Sequence, residues 1–512
     1  MRHVLLPVAL ISLAAFAGAQ TRPAGIDPAL LVKPPADSWL NYHGDYSGKR
    51  HSSLTGITPA NVSGLTQVWR FQANGGIKAS PVLANGIIYI TTTDNLWALD
   101  ARTGQELWHY THPRSNAFSI GHRGVAVYKD MVYLTTRDAH LLALNAKDGS
   151  VKWNVMIADS NRGYWSTNAP LVVRNHVIVG VSGDFDNLPG QLKSVDADTG
   201  KTQWVFYSTP PAGVADPPSG GATGGQMWNT GTYDPELNLI YVGTGNPTPV
   251  LNGPARPGDN PWTCSIVAVN ADTGKLAWGY QVSPHDTHDW DAAEVPVLVD
   301  GAFNGQTRKM VMQASRNGYF FVLDRTNGKN LLTTPFATVN WAKEIDKDGR
   351  PVPDPKKEPS REGVLVAPNE NGATNYRPPS FDPVTGLFLV SAHDGYGIYF
   401  FKAEDGDYGW AGADYNIAGR SYLRAIDYQT GKIRWSQFIG DQPGSAGVLT
   451  TASGLTFTGD ASNAVAIRTS DGTVLWRSNT GRVGNAPITY QLDGKQHVMF
   501  GGGNALVAFA LP

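Results

Sequence analysis

The segment His285-Asp286-Thr287-His288-Asp289-Trp290-Asp291 sets two imidazoles and three carboxylates within seven residues, the densest group of metal-capable and proton-accepting side chains in the chain. Three chemistries fit it. A solvated acidic loop asks for nothing more. A His-based zinc site wants about four N, S or O ligands at tetrahedral spacing, and no third His arrangement elsewhere obviously completes one. An oxygen-ligand site is the third reading: Asp289 and Asp291 straddle Trp290, so in an extended segment both carboxylates point to the same side. Two carboxylates on one side suit a hard cation, and one can also accept a proton.

Other candidates are weaker alone. Gly243-Thr244-Gly245-Asn246-Pro247 follows the strand-like Leu239-Ile240-Tyr241-Val242, so Asn246 leaves a strand end with its amide exposed to whatever lies there. Arg123, in His122-Arg123-Gly124, and Arg316, in Ser315-Arg316-Asn317-Gly318, read equally as surface ion pairs. Gly220-Gly221-Ala222-Thr223-Gly224-Gly225 lacks the Gly-Lys-Ser/Thr ending of a phosphate loop. Cys264 lies in an alternating run and reads as a buried small hydrophobe rather than a reactive thiol.

A repeat must position these groups. Ala98-Leu99-Asp100 runs through Gly104 to Trp108, Ala143-Leu144-Asn145 through Gly149 to Trp153, and Ser194-Val195-Asp196 through Gly200 to Trp204. The pattern returns at Asn270, Gly274 and Trp278, at Asp427, Gly431 and Trp435, and at Arg468, Gly472 and Trp476; a degenerate copy has Asp324 and Gly328 but Leu332 in place of Trp. Each copy predicts a strand, a tight turn with a left-handed Gly, and a second strand whose Trp packs at a fixed place. One hairpin cannot bury its own apolar face, and copies at roughly 40–50-residue spacing indicate a β-propeller. Seven copies are visible, and Trp69 marks the last strand of an eighth, whose partners come from the C-terminal run Ala505–Leu511. The expected fold is therefore all-β, an eight-bladed propeller closed by pairing the two ends of the chain. The excursions from about 340 to 379 and 404 to 415 are expected as loops.

Composition agrees. With 57 Gly, 34 Pro and 15 Trp in 512 residues, short strands and tight turns are expected and long helices are not. A net charge of -2 offers no broad basic surface for nucleic acid. Residues 1–19 have the charged start, apolar run and small-residue end of a secretory signal, too short to span a membrane; residues 20–512 are then a single exported domain. A lone cysteine excludes an intrachain disulfide and a Cys-x-x-Cys-His haem site in this chain.

The order and spacing of these pieces resemble the pyrroloquinoline quinone (PQQ) dependent alcohol dehydrogenases, eight-bladed quinoproteins that include methanol dehydrogenase and, more distantly, membrane-bound glucose dehydrogenase. Gly243 to Pro247 and Pro284 to Asp291 are the most specific matches. The resemblance implies a quinone stacked on an indole floor, with a metal ion at its carbonyl edge. Trp228, eighteen residues before Asn246, matches the floor. Arg123, Thr167, Ser182, Gly183, Arg316 and Asn375 match cofactor-holding positions, and Asn246 the metal's amide ligand. Asp289 matches the proton-accepting Asp. Asp291 falls where lanthanide-dependent members carry an extra carboxylate, and a trivalent ion gains more from an added anion than a divalent one. A lanthanide is the preferred metal and calcium the second.

Departures are equally specific. Phe185 stands at the family's metal-binding Glu, so Asp184 or Asp186 is expected to take that place; the vicinal cysteines are missing; Lys78 replaces a Glu near the quinone, and Ser445 a frequent Trp. The resemblance implies a periplasmic dehydrogenase that oxidises an alcohol, or the hydroxyl of an aldose, and passes electrons to a separate acceptor such as a soluble cytochrome c. The rival reading is a non-catalytic exported propeller scaffold.

Overall fold

In the computed structural model, residues 25–183, 188–210, 222–402, 409–444 and 446–512 are described. Among them, eight sheets of four or five strands and two two-stranded ribbons carry the fold, and helix is confined to short 3-10 turns such as Pro28–Leu31. No helix among the described residues is long and apolar enough to cross a membrane.

The repeat explains each sheet. In Val82–Ala84, Ile87–Thr92, Asn95–Asp100 and Glu106–Thr111, the first three strands are almost wholly buried. The fourth alternates, turning Trp108 inward and Glu106, Leu107 and His109 outward. The Asp of the pattern makes the turn: Asp100 Oδ1 accepts the backbone N–H of Arg102 (2.7 Å) and Thr103 (3.2 Å). That is the local bonding that favours Asp and Asn in turns. Gly104, at φ +69°, then donates its N–H to Asp100 O at 2.8 Å.

A second requirement falls on this Gly. A Cβ on Gly104 would lie 2.5 Å from the Trp69 indole of the preceding sheet, and Gly149, Gly200, Gly274, Gly328 and Gly472 meet Trp108, Trp153, Trp204, Trp278 and Trp435 in the same way. The indole N–H of Trp108 donates to Ala146 O (3.0 Å), and that of Trp278 to Arg325 O (3.0 Å). Trp153 is the exception: the Tyr133 hydroxyl donates to Ala197 O, the carbonyl in the corresponding place, and the buried Trp153 Nε1 has no partner. At the degenerate copy, Leu332 and Thr334 cover Gly431 instead of an indole. Consecutive sheets are thus locked by one large side chain laid on the next sheet's turn.

Thr66–Gln72 pairs antiparallel with Ala505–Ala510, as the sequence predicts for the strand bearing Trp69. The two excursions differ from expectation. Residues 340–379 contain a hairpin of Ala342–Ile345 with Pro351–Pro353 and a strand Val364–Val366. Of the 404–415 segment, 404–408 fall outside the described residues, and Gly412 onward belongs to a long ribbon in which Leu387–Phe401 pairs with Gly412–Asp427. Gly395 and Gly397 flank a register shift in that ribbon, and the strand continues through Ile398 to Phe401.

Candidate active site

Strand ends and the loops leaving them converge on one cavity of about 250 Å³, whose lining includes Ser182, Trp228, Asn246, Asp289, Asp291, Arg316, Asn375 and Tyr376. Its densest part is an ionic knot. Arg316 Nη2 donates to Asp289 Oδ2 (2.8 Å) and Arg316 Nη1 to Asp291 Oδ2 (3.0 Å). Asp291 Oδ2 also accepts the Trp228 indole N–H (2.8 Å), and Asp291 Oδ1 the backbone N–H of Asn246 (2.6 Å). Glu370 adds its backbone carbonyl to Arg316 Nη2 at 2.6 Å and its carboxylate at 3.4 Å.

The expected geometry of the Asp pair is reached by a different backbone. Asp289 is left-handed, at φ +65°, not extended. Asp286 ties the loop from inside: its Oδ2 accepts the N–H of His288 (3.3 Å) and of Trp290 (3.2 Å). Burial pushes the Asp286 carboxyl up to about 6, with Arg256 and these two N–H bonds opposing. Trp290 is fully buried and donates its indole N–H to Asn369 O (3.1 Å), with His288 stacked on it at 4.3 Å. Both carboxylates meet Arg316 because this folded loop, rather than a pleat, presents them.

The imidazoles do not make a zinc site. His285 Nδ1 pairs with Gly258 O (2.7 Å) and His288 Nε2 with Lys357 O (2.9 Å). Burial lowers His288 to about 4, so the ring is neutral. Among the described residues, no three or more His, Cys, Asp and Glu side chains gather as a metal cluster.

Electrostatics favour the knot. Burial works against the charge of Arg316, but Asp289, Asp291, Glu370 and Glu294 around it raise its pKa well above the usual value. Burial raises Asp291, while Arg316 and the Asn246 and Trp228 donors pull it back. Glu294, not anticipated from the sequence, is buried below the knot and pushed well up by burial; the Ser315 hydroxyl donates to its Oε2 at 3.5 Å, and Oε1 has no partner.

The remaining predicted residues divide. Arg123 Nη1 donates to Thr167 Oγ1 (2.8 Å), and its guanidinium lies 4.6 Å from the Trp228 ring. Ser182 lines the cavity with a buried, unpartnered hydroxyl. Gly183, at φ +146°, presents its carbonyl to Gln226 Nε2 (3.0 Å). Asn375 reaches the cavity, although its amide also bonds Asn371 O and the Tyr376 N–H. Lys78 stands at the rim, with Nζ donating to Ile120 O at 2.5 Å. Asp184 and Asp186, with Phe185, lie outside the described residues, as does Ser445. Cys264 is fully buried, as expected. The Gly-rich segment is a backbone clamp: Gly225 N–H donates to Asn246 O (2.8 Å), and a Cβ on Gly224 would come within 2.4 Å of that oxygen.

A family model described as "Glucose/ethanol/alcohol dehydrogenase, beta-propeller domain" matches residues 39–348, which include Trp228, Asn246, Asp289, Asp291 and Arg316. The chain belongs to the PQQ-dependent alcohol dehydrogenases. Within this family, quinohemoprotein alcohol dehydrogenase ADH IIB of Pseudomonas putida is 34% identical, over 93% of this chain and 75% of its own length. Quinoprotein alcohol dehydrogenase PedH of Pseudomonas putida is 33% identical, over 97% of this chain and 91% of its own. Among solved structures, a europium-containing methanol dehydrogenase superposes with TM-score 0.86 at 28% identity, covering 94% of this chain and 99% of that one. A second family model, outer membrane protein assembly factor BamB, matches only residues 419–510. The alcohol dehydrogenase fold thus comes with the knot, the indole and Asn246 in one cavity.

Proposed function

We propose that the chain is a quinoprotein that oxidises alcohols, primary alcohols foremost, to the carbonyl, in a cavity where Asp289, Asp291 and Trp228 are held together around Arg316. That convergence carries the reading. The alternative substrate is an aldose hydroxyl. The eight sheets are read as eight blades of one ring, supported by the successive Trp-on-Gly contacts and by the pairing of Thr66–Gln72 with Ala505–Ala510. The scaffold reading is less well supported, because the BamB match stops short of every residue of the knot.

The donor chemistry suits a flat polyanionic quinone. Trp228 offers an aromatic face, while Arg123 Nε and Ser182 Oγ are buried without partners. A tricarboxylate needs cationic and hydroxyl donors at its rim, and its rings favour an indole. For a cation, Asp289 and Asp291 set two carboxylates against the single Arg316 guanidinium that they share, and a further acid outside the described residues is needed to complete a site. Asn246, Asp289 and Asp291 would hold the ion, with Asp184 or Asp186 as the further acid. When bound, PQQ supplies a two-electron acceptor for the carbinol hydride, and the ion a Lewis acid beside it.

The chain's own residues do the rest. Asp289, oriented by Arg316, takes the proton of the substrate hydroxyl at its carboxylate. Arg316, kept cationic by its acids, steadies charge developing on the substrate oxygen. Trp228 and Asn246, both bonded to Asp291, fix the floor relative to the ion's acid. A lanthanide is the preferred ion, since Asp291 adds an anion beside Asp289 and relatives include enzymes named as lanthanide-dependent methanol dehydrogenases. Residues 1–19 act as an export signal to the periplasm, and electrons leave to a separate carrier such as a soluble cytochrome c.

Reconstitution of the purified protein with PQQ and either calcium or a light lanthanide, followed by dye-linked oxidation of an alcohol and sugar panel, tests this. Oxidation of primary alcohols that is lost in Asp289→Ala is the expected result. Turnover that survives Asp289→Ala refutes the proposed base.

A further inference from the structure

Three cations gather around Tyr376, a residue of the cavity wall. The Arg123 guanidinium lies 4.7 Å from the Tyr376 ring centre, that of Arg377 5.1 Å, and Lys78 Nζ 6.0 Å. Arg482 stands apart from them and lines a separate pocket with Asp441. Among the described residues none of the three around Tyr376 forms an ion pair with a carboxylate. The hydrogen bonds of two go to neutral groups: Arg123 to Thr167 Oγ1 and Gly121 O, Lys78 to Ile120 O. Arg377 Nε is buried and unpartnered, as is Arg123 Nε.

This arrangement is unfavourable by itself. Desolvating a guanidinium without a counter-ion costs several kcal/mol in general, and like charges placed together add to the cost. The effect is visible in the groups themselves: burial, then Arg482 and Arg316, lower the Arg377 pKa. Burial raises the Tyr376 phenol, yet Arg377, Lys78, Arg123 and Arg482 together bring it below its ordinary value. Elsewhere buried arginines are either matched by acids, Arg325 by Asp234 and Asp300 and Arg424 by Asp394, or, like Arg50 and Arg256, donate from Nε and both Nη to neutral oxygens. Arg316, in the same cavity, has three acids.

We infer that Arg377, together with Lys78 and Arg123 around Tyr376, forms a cationic cradle for the carboxylates of the bound cofactor. Arg377 does not belong to the matched cofactor positions. The cradle stands where the chain has Lys78 in place of an acid, so charge on this side is higher than Arg123 alone would give. Arg316 is committed to Asp289, Asp291 and Glu370, and the tricarboxylate's remaining counter-charge falls to these three. The inference rests on the quinoprotein reading and extends it to residues of this chain.

The test is binding, not turnover. The apo full-length chain, at fixed calcium, is dialysed to equilibrium against PQQ at several salt concentrations, and melting midpoints are recorded with and without PQQ. Wild type should bind PQQ, with affinity falling as salt rises. Arg377→Gln should lose roughly tenfold or more in affinity and show a shallower salt dependence, as expected for one lost charge-assisted contact. Arg377→Lys should retain most of the affinity. Arg377→Gln should melt no lower than wild type without PQQ, because it relieves an uncompensated charge; a merely structural arginine would melt lower. Lys78→Gln, at an exposed position, should lose a few-fold and serves as the deciding arm if Arg377→Gln does not fold. Unchanged affinity and salt slope in either Gln variant, or Arg377→Lys as weak as Arg377→Gln, overturns the cradle. Wild type that fails to bind PQQ instead overturns the quinoprotein reading itself.

Discussion

Trp228 donates its indole N–H to Asp291 Oδ2 at 2.8 Å, so the aromatic floor and the acid beside Asp289 are one unit. A ring replacement separates the two roles. Trp228→Phe keeps an apolar face but leaves Asp291 short of one donor, and a hydrogen bond to a charged group contributes about 1.5–3 kcal/mol. The apo protein should lose stability of that order while PQQ affinity falls less than about tenfold. Trp228→Ala should lose both. Paired thermal melts and equilibrium dialysis check this, and a Trp228→Phe protein as stable as wild type would show the bond to be idle.

Asp291 has a second consequence, for the choice of ion. It lies among three donors, Arg316, Trp228 and the Asn246 N–H, so Asp291→Ala removes a strut as well as a charge. Asp291→Asn keeps the size and removes the charge. Its loss should fall harder on a trivalent ion, because the attraction scales with the product of charges. Lanthanide-supported turnover should drop by at least about tenfold more than calcium-supported turnover. Equal losses with both ions argue against a lanthanide preference.

Much of this was legible in the sequence, for identifiable reasons. The Asp, Gly and Trp of the repeat each answer a local demand: an Asx turn, a left-handed residue under an indole, and that indole itself. Such demands act within one hairpin and its neighbour, so spacing reports them. The acids of the site were found because they sit in one phrase with Trp290. Glu294, Glu370 and Arg377 were not found, because each stands alone in sequence and meets the others only through the fold. Of the segment from about 404 to 415 expected as a loop, Gly412 onward is instead strand, because its pairing with Leu387–Phe401 is a long-range contact that no local pattern reports.

Stability should fall with pH through His122. This buried ring pairs through Nε2 with Thr135 O (2.7 Å), and its Nδ1 accepts the Gly124 N–H (3.2 Å). The Gly124 contact needs the neutral form, and burial, with Arg123 nearby, lowers the pKa to about 4 although the Thr135 bond, which either form can make, opposes the shift. The unfolded chain takes up this proton at about 6.5, so the folded state binds fewer protons between the two values. Stability is therefore full above pH 6.5 and declines as pH falls toward 4, by up to about 3 kcal/mol from this group. His122→Asn, whose amide oxygen can still accept the Gly124 N–H, should be less stable at pH 7 yet lose less between pH 6.5 and 4.5. Denaturant melts across that range measure the difference; an unchanged slope would remove His122 from the account.

The Trp-on-Gly lock is best tested against a glycine with the same backbone and no neighbour. Gly104 has φ +69° and would put a Cβ 2.5 Å from the Trp69 ring; Gly494 has φ +79° and meets nothing within 4 Å. Left-handed backbone alone costs a non-glycine residue about 1–2 kcal/mol, and forcing extra volume into a packed contact costs about 1–3 kcal/mol more. Gly494→Ala should therefore show only the backbone cost, while Gly104→Ala should lose about 2–5 kcal/mol as the Trp69 indole is pushed off its seat and its N–H loses Ala101 O. Trp69 also lies on the strand paired with Ala505–Ala510, so Gly104→Ala should loosen that pairing. Hydrogen exchange should then rise in Thr66–Gln72 and the C-terminal strand in Gly104→Ala and stay at the wild-type level there in Gly494→Ala. Equal destabilisation of the two variants would mean that the indole's seat contributes nothing beyond the turn.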